Sequence, residues 1–418
     1  MDTPYGTPGA NKAPDDTVPR IGVSTETVIG RTKQMATEQV EAGVDRITNS
    51  AQSAASALRR SAGEVENDNA GIERRPWRKI LAAYQRPSAL RSILEIILSA
   101  APLALIWAGA WTAVVFGLWW LALLLVVPAA AFLVRLFMVQ HDCSHHAFFE
   151  NAAANDWIGR IIGVFTLTPY DHWRRTHAIH HATSGNLDRR GVGEVSVLTV
   201  AEYVALPPWR RLAYRLYRHP LVLFVFGPAY LFLAHQRLPF GFMNKGWRPW
   251  LGVMSTNAAI AILIGGVLWF GGWRGLLLIH LPTMLIAGSI GVWLFYVQHQ
   301  FENTYWARQE GWGSTEAALR GSSHYDLPGV LHWITANIGI HHVHHVASRI
   351  PFYRLQTVLH DYPELKKTSR LSIANSIGCV RLSLWDEASH KLISFRQFNL
   401  GERTRNESTL VSALNVIA

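Results

Sequence analysis

The chain has 418 residues, 49% of them hydrophobic and only 16% charged, with 17 Trp. Lys and Arg number 39 against 29 Asp and Glu, a formal charge of +10. So low a charged fraction with so many indoles indicates a membrane protein. It excludes a nucleic-acid binder, which needs a basic stripe on a soluble domain; the cationic excess belongs to loops facing anionic lipid.

Residues 1–72 are rich in Pro, Gly, Asp, Ser and Thr, have no aromatic beyond Tyr5, and read as a mostly disordered tail. Within it Val40, Val44, Ile47, Ala51, Ala54 and Leu58 recur at helical spacing, the pattern of a transient helix. No signal-peptide pattern is visible, so the first apolar segment is expected to direct insertion. Arg74, Arg75, Arg78, Lys79, Arg86 and Arg91 precede residues 96–134, which carry no charge. A bilayer core takes about 20 residues per helix. This run is therefore expected to be a hairpin of two spans, about 93–114 and 116–137, with the preceding cations on the cytoplasmic side.

Residues 161–170 are apolar but too short to span. Residues 219–236 are uncharged yet broken by Pro220, Gly227 and Pro228, and Arg210, Arg211, Arg215, Arg218 and Arg237 flank them. Residues 249–273 and 275–301 are separated by Arg274 alone and read as a second hairpin, about 251–271 and 275–298. The expected fold is an all-α membrane protein: two transmembrane hairpins, four spans, interfacial helices and a cytosolic helical cap from Glu302 onward. Residues 73–375 would form this domain and 376–418 a C-terminal cytosolic tail. Cys143 and Cys379 are not expected to pair, because Cys143 lies in a segment placed in the cytosol.

Ten of the 19 histidines fall in three clusters: His141, His145 and His146; His177, His180 and His181; His341, His342, His344 and His345. Spacings of three and four put imidazoles on one helix face, and neutral imidazole is a ligand for iron, zinc, copper and nickel. About eight nitrogens exceed the four of a tetrahedral zinc site, so two adjacent ions are expected. The clusters must share one side of the membrane to form one site. The second hairpin crosses twice between the second and third clusters, so residues 219–236 cannot span as well.

The segments His141-Asp-Cys-Ser-His-His-Ala-Phe-Phe149, Pro169-Tyr-Asp-His-Trp-Arg-Arg-Thr-His177-Ala-Ile-His-His181 and Asn337-Ile-Gly-Ile-His-His-Val-His-His345 resemble the three histidine boxes of membrane fatty acid desaturases. The resemblance covers roughly residues 80–375. The Trp-Arg-Arg-Thr-His spacing and Ser184-Gly-Asn-Leu-Asp188 are most similar to the bacterial omega-6 (delta-12) acyl-lipid branch. It implies an O2-dependent enzyme with two iron ions that desaturates a lipid-linked acyl chain, with oleoyl to linoleoyl as the expected conversion. It implies His141, His145, His177, His180, His181, His341, His344 and His345 as ligands, with His146 as a further candidate in the first box and His299, in Tyr296-Val-Gln-His-Gln-Phe-Glu302, as another. His342 occupies a variable position.

Carboxylates and amides near the boxes are candidates for accepting the far N–H of a ligand imidazole: Asp142, Asp171, Glu302, Asp326 and Asn337. His172, His219, His235, His280, His332, His360 and His390 are isolated, and His324 is not assigned as a ligand. No segment offers a fused haem module, so an external, ferredoxin-like electron donor is implied. The expected setting is a bacterial inner membrane with the site facing the cytoplasm. The same scaffold resembles di-iron hydroxylases and carotenoid-modifying oxygenases. A metal transporter, the remaining class, needs ionisable groups along its spans, and His280 is the one such group away from the span ends.

Overall fold

The computed structural model describes Ile72 and residues 75–401. The helical stripe expected at residues 40–58, Arg74 and residues 402–418 lie outside that range. The described chain is mostly helical, and its first two long apolar helices pack against each other.

Helix α1 (Ala89–Val115) starts at Ser88, whose Oγ accepts from the Arg91 amide, the usual device for an unpaired first-turn donor. It ends at Gly117, whose φ of 74° turns the chain into α2 (Trp119–Ser144). After α3 (Ala152–Phe165) and α4 (Tyr170–Thr183), the second apolar pair is α5 (Trp247–Gly275) and α6 (Leu281–His299), joined by a π-turn over Leu276–His280. Gly272 breaks the helix at φ 63° and ψ −173°. The tips of the two hairpins touch. A Cβ on Gly271 or Gly275 would lie 1.4 or 2.7 Å from the Trp111 indole, and Trp111 Nε1 donates to His280 Nε2 at 3.1 Å. At the opposite ends, Gly252 packs against Asp171 and α6 runs into His299. Both ends of residues 247–299 therefore meet histidine-bearing elements.

Among the described residues, three helical stretches are long and apolar enough to cross a membrane, the third being residues 247–299 taken whole; a bent pair over residues 208–237 would make a fourth. That pair, Pro208–Tyr217 and Val222–Arg237, turns by 60°. Pro228 and Phe232 pack on Gly288 of α6, while the ends return to the histidine end of the molecule. Arg218 donates to Tyr296 Oη, Gln300 Oε1 and the Leu382 carbonyl at 3.1, 3.0 and 2.7 Å. Arg237 donates to the Leu167 carbonyl and to Asn257 Oδ1. The segment thus dips along α6 and comes back.

The expectation of an all-helical cap with a tail from 376 needs correction. Strands β1 (Leu198–Thr199), β2 (His324–Asp326), β3 (Arg370–Ser372), β4 (Leu382–Asp386) and β5 (Lys391–Ser394) form two small sheets, with β1 parallel to β4, β4 antiparallel to β5, and β2 parallel to β3. Trp385 and Leu392 are buried with Leu187, Val197 and Trp306, so residues up to 401 belong to the folded cap. Within the cap, the short helices α7 (Gly329–Ile334) and α8 (His341–Val346) lead into and carry the third cluster.

Candidate metal centre

Helix α2 delivers His141 from its last turn and His145 from its C-cap; α4 delivers His177, His180 and His181; α6 ends on His299; α8 carries His341, His344 and His345. Nine ring nitrogens converge in two groups. His141, His145, His177, His181 and His344 form one, and His180, His299, His341 and His345 the other, with the donor atoms of each group within 4.8 Å of one another.

Within the groups the contacts run Nε2 to Nε2. His177 lies 3.1, 3.0 and 3.1 Å from His141, His145 and His181, and His344 is 3.2 Å from His181. His299 lies 3.1 and 3.0 Å from His180 and His341, and His345 is 3.0 Å from His341. A neutral imidazole carries one N–H, so rings meeting several others through the same nitrogen cannot satisfy one another by hydrogen bonding. Two of the far nitrogens have an acceptor that takes the proton: His141 Nδ1 faces Asp142 Oδ1 at 3.1 Å, and His299 Nδ1 donates to the Gly321 carbonyl at 3.1 Å. The Nε2 lone pairs of these two then point inward. Neighbouring donors around a six-coordinate ion with metal–nitrogen bonds of about 2.1 Å are about 3.0 Å apart, which matches these spacings. Burial first, and neighbouring imidazoles second, hold His145, His177, His181, His341, His344 and His345 well below the usual histidine pKa, and His180 likewise. They stay neutral and able to bind a cation.

His146, the further first-box candidate, joins neither group. The helix ends at Ser144, His146 turns into the left-handed region at φ 52°, and its Nε2 meets Asp156 Oδ1 at 3.0 Å. Asp156 also takes Arg174 Nη1 at 3.0 Å.

Of the five candidate supports, Asp142 alone touches a converging imidazole. Its other oxygen accepts the Phe352 amide at 2.7 Å, tying α2 to the chain beyond the third cluster. Asp171 forms a two-point ion pair with Arg160, both bonds 2.9 Å. Glu302 sits on the exposed rim, 3.2 Å from Lys391 Nζ. Asn337, at φ 56°, donates to the Phe352 carbonyl at 3.1 Å. Asp326 pairs with Arg370. With His324 and His332 it forms a third group of nearby donors, but Asp326 Oδ2 is taken by Arg370, and His332 Nε2 accepts the Leu327 amide. Trp173, which sequence reasoning left unassigned, stacks on His177 at 4.5 Å. Its position four residues earlier on α4 was the available signal.

A cavity of about 540 Å³ opens against the clusters. His141, His177 and His341 line it, with Leu133, Val134, Phe137 and Met138 of α2 and Met284, Ala287, Gly288 and Gly291 of α6. The two segments too short to span also contribute, through Thr166 and through Leu231, Phe232, His235 and Gln236.

A family model for fatty acid desaturases matches residues 118–373. The chain is 41% identical over 331 residues to a fatty acid desaturase of Bacillus subtilis, spanning 76% of this chain and 90% of that one. It is 32% identical over 235 residues to an sn-1 acyl-lipid omega-3 desaturase (ferredoxin) of Synechocystis sp., spanning 53% and 61%. An sn-1 oleoyl-lipid 12-desaturase of Arthrospira platensis is 23% identical over 266 residues, spanning 59% and 70%. The chain belongs to the fatty acid desaturase family. It is an oxidoreductase of lipid metabolism, and its apolar helices associate it with the membrane.

Proposed function

We propose that the protein is a di-iron acyl-lipid desaturase whose nine inward-facing histidines are the iron ligands, five on one ion and four on the other. The observation that carries this reading is the convergence of buried Nε2 atoms at the end of an apolar cavity. In the balanced reaction, –CH2–CH2– plus O2, two electrons and two protons gives –CH=CH– and two waters. Iron would supply the O2 activation that no amino-acid side chain provides. The chain's own groups do the rest. Asp142 holds His141 in the tautomer with its lone pair inward, and Trp173 fixes the plane of His177. The apolar walls keep water from the reacting methylenes, while His141, His177 and His341 form the surface against which those methylenes lie.

Two crossings per hairpin give four spans, with the dipping segment at 208–237 returning to its own side. That leaves the histidines and the cap on the cytoplasmic face of a bacterial inner membrane. The electrons come from a separate carrier, as the printed name of the Synechocystis relative indicates for that protein. Conversion of oleoyl to linoleoyl lipid is supported by the second-box spacing and by the Arthrospira relative. A second reading of the cut, nearer the carboxyl end, is favoured by the depth of the cavity, developed below.

Purified protein should carry about two irons per chain, and a host that makes oleate but no dienes should accumulate the delta-12 diene on expression. An active preparation with stoichiometric zinc and no iron overturns the metal assignment. A hydroxylated product overturns the desaturase assignment.

A further inference from the structure

The lining of the cavity is uneven: Glu194, Gln236 and His235 are polar, while the α6 residues that run away from His299 as far as Met284 are almost all apolar. A lipid-linked carboxyl group cannot be buried without partners at an apolar end, so an acyl chain enters methyl end first. Helix α6 then acts as a ruler running away from the irons. Gly291 lies eight residues before His299, about 12 Å along the axis, and Met284 fifteen residues before, about 22 Å. An extended alkyl chain advances about 1.25 Å per carbon, from bonds of about 1.52 Å at about 111°. The floor at Met284 thus lies some seventeen carbons from the level of His299, and Gly291 some nine or ten.

Gly291 is where this depth is kept open. A Cβ added there would meet nothing within 4 Å, although the residue lines the cavity. Gly288, one turn deeper, differs, because a Cβ there would press on Phe232 at 3.0 Å. A side chain at Gly291 would therefore enter the lumen without disturbing the packing of α6 on the bent segment.

We propose that Gly291 is the specificity-determining position of the enzyme: its missing side chain sets how many carbons pass beyond the irons, and so where the double bond falls. This rests on the acyl-chain reading of the cavity and on the second reading of the cut, so a wild type whose product is the delta-12 diene alone overturns it. A delta-12 cut in an eighteen-carbon chain places five carbons beyond the double bond, about 6 Å, short of Gly291. A cut that uses the full lumen lies nearer the carboxyl end.

The test compares the full-length wild type with Gly291→Leu and Met284→Ala in a host supplying saturated and monounsaturated chains of several lengths. Double-bond position, preferred chain length and iron content are measured together. Gly291→Leu should keep its iron and move the double bond several carbons toward the methyl end, or shift preference to chains shorter by a similar number. Met284→Ala should leave the position unchanged or extend the accepted length. An iron-loaded Gly291→Leu variant with the wild-type position and length preference overturns the proposal. So does an iron-loaded variant inactive on every chain, because a plug at this depth leaves room for short ones. An iron-loaded wild type that makes no double bond in any acyl chain overturns the desaturase reading as well, which separates the two failures.

Discussion

Removing the Arg135 guanidinium should destabilise the molecule far more than removing any rim cation. Arg135 lies on α2, is 1% exposed, and pairs with Glu95 of α1, also 1% exposed. It donates to the Trp333 carbonyl on α7 and sits over the Trp333 ring at 4.1 Å. Arg135→Ala leaves Glu95 facing only Arg91, whose side chain is about half exposed, and leaves a buried carbonyl unpaired. Breaking such a buried pair from one side costs about 3–5 kcal/mol, a factor of roughly 10² to 10⁴ in the folding equilibrium. Arg320→Ala, at an exposed i,i+4 pair with Glu316, should cost about 0.5 kcal/mol or less. Unfolding of purified protein in detergent, followed by Trp fluorescence against denaturant, measures both. The double variant Arg135→Met/Glu95→Leu should recover most of the loss, since no charge is then stranded. If Arg135→Ala costs no more than Arg320→Ala, or the double variant is worse than the single, the pair does not hold α1, α2 and α7 together as argued.

Three other outcomes follow from individual contacts. His145→Ala should lose bound metal and activity while His146→Ala keeps both, read by metal analysis of the purified proteins; equal losses would contradict the separation of these neighbours. Gly159→Ala should lower thermal stability by about 1–3 kcal/mol, because the new methyl would lie 2.2 Å from the Tyr170 ring; an unchanged melting temperature counts against that packing. Burial holds the Glu194 carboxyl up at about 7, from an ordinary 4.5. The folded state therefore binds the proton more tightly, and stability falls as pH rises from about 4.5 through 7, by about 1–3 kcal/mol. Glu194→Gln should remove that decline in melting temperature, and an identical pH profile for the two proteins refutes it.

The centre was legible in the sequence because metal chemistry imposes helical arithmetic. Spacings of three and four fix which faces meet. What decided between His145 and His146 was where α2 ends, which depends on the chain beyond it packing under Phe148 and Asn155. Asp171, Glu302, Asp326 and Asn337 were adjacent in sequence to the boxes but are held by Arg160, Lys391, Arg370 and Phe352, partners that proximity along the chain cannot indicate. The Gly321 carbonyl that orients His299 is a backbone atom with no residue signature. Strands β4 and β5 are short, and one of their partners, β1, lies almost 190 residues earlier, so no local periodicity marked them.

Adjacent histidines on one helix point about 100° apart, and this chain uses that divergence twice. His180 and His181 serve different groups, and so do His344 and His345. Helices α4 and α8 are thus common walls, each anchored from both sides. With the proposed two ions, an ion in one group would fix two helices whose ordering the second ion would no longer have to supply, so the second would bind more tightly than the first. Metal uptake should consequently be steep and cooperative, passing from the empty to the doubly loaded protein with little of the singly loaded form. A one-residue insertion in either helix would misdirect ligands of both ions together.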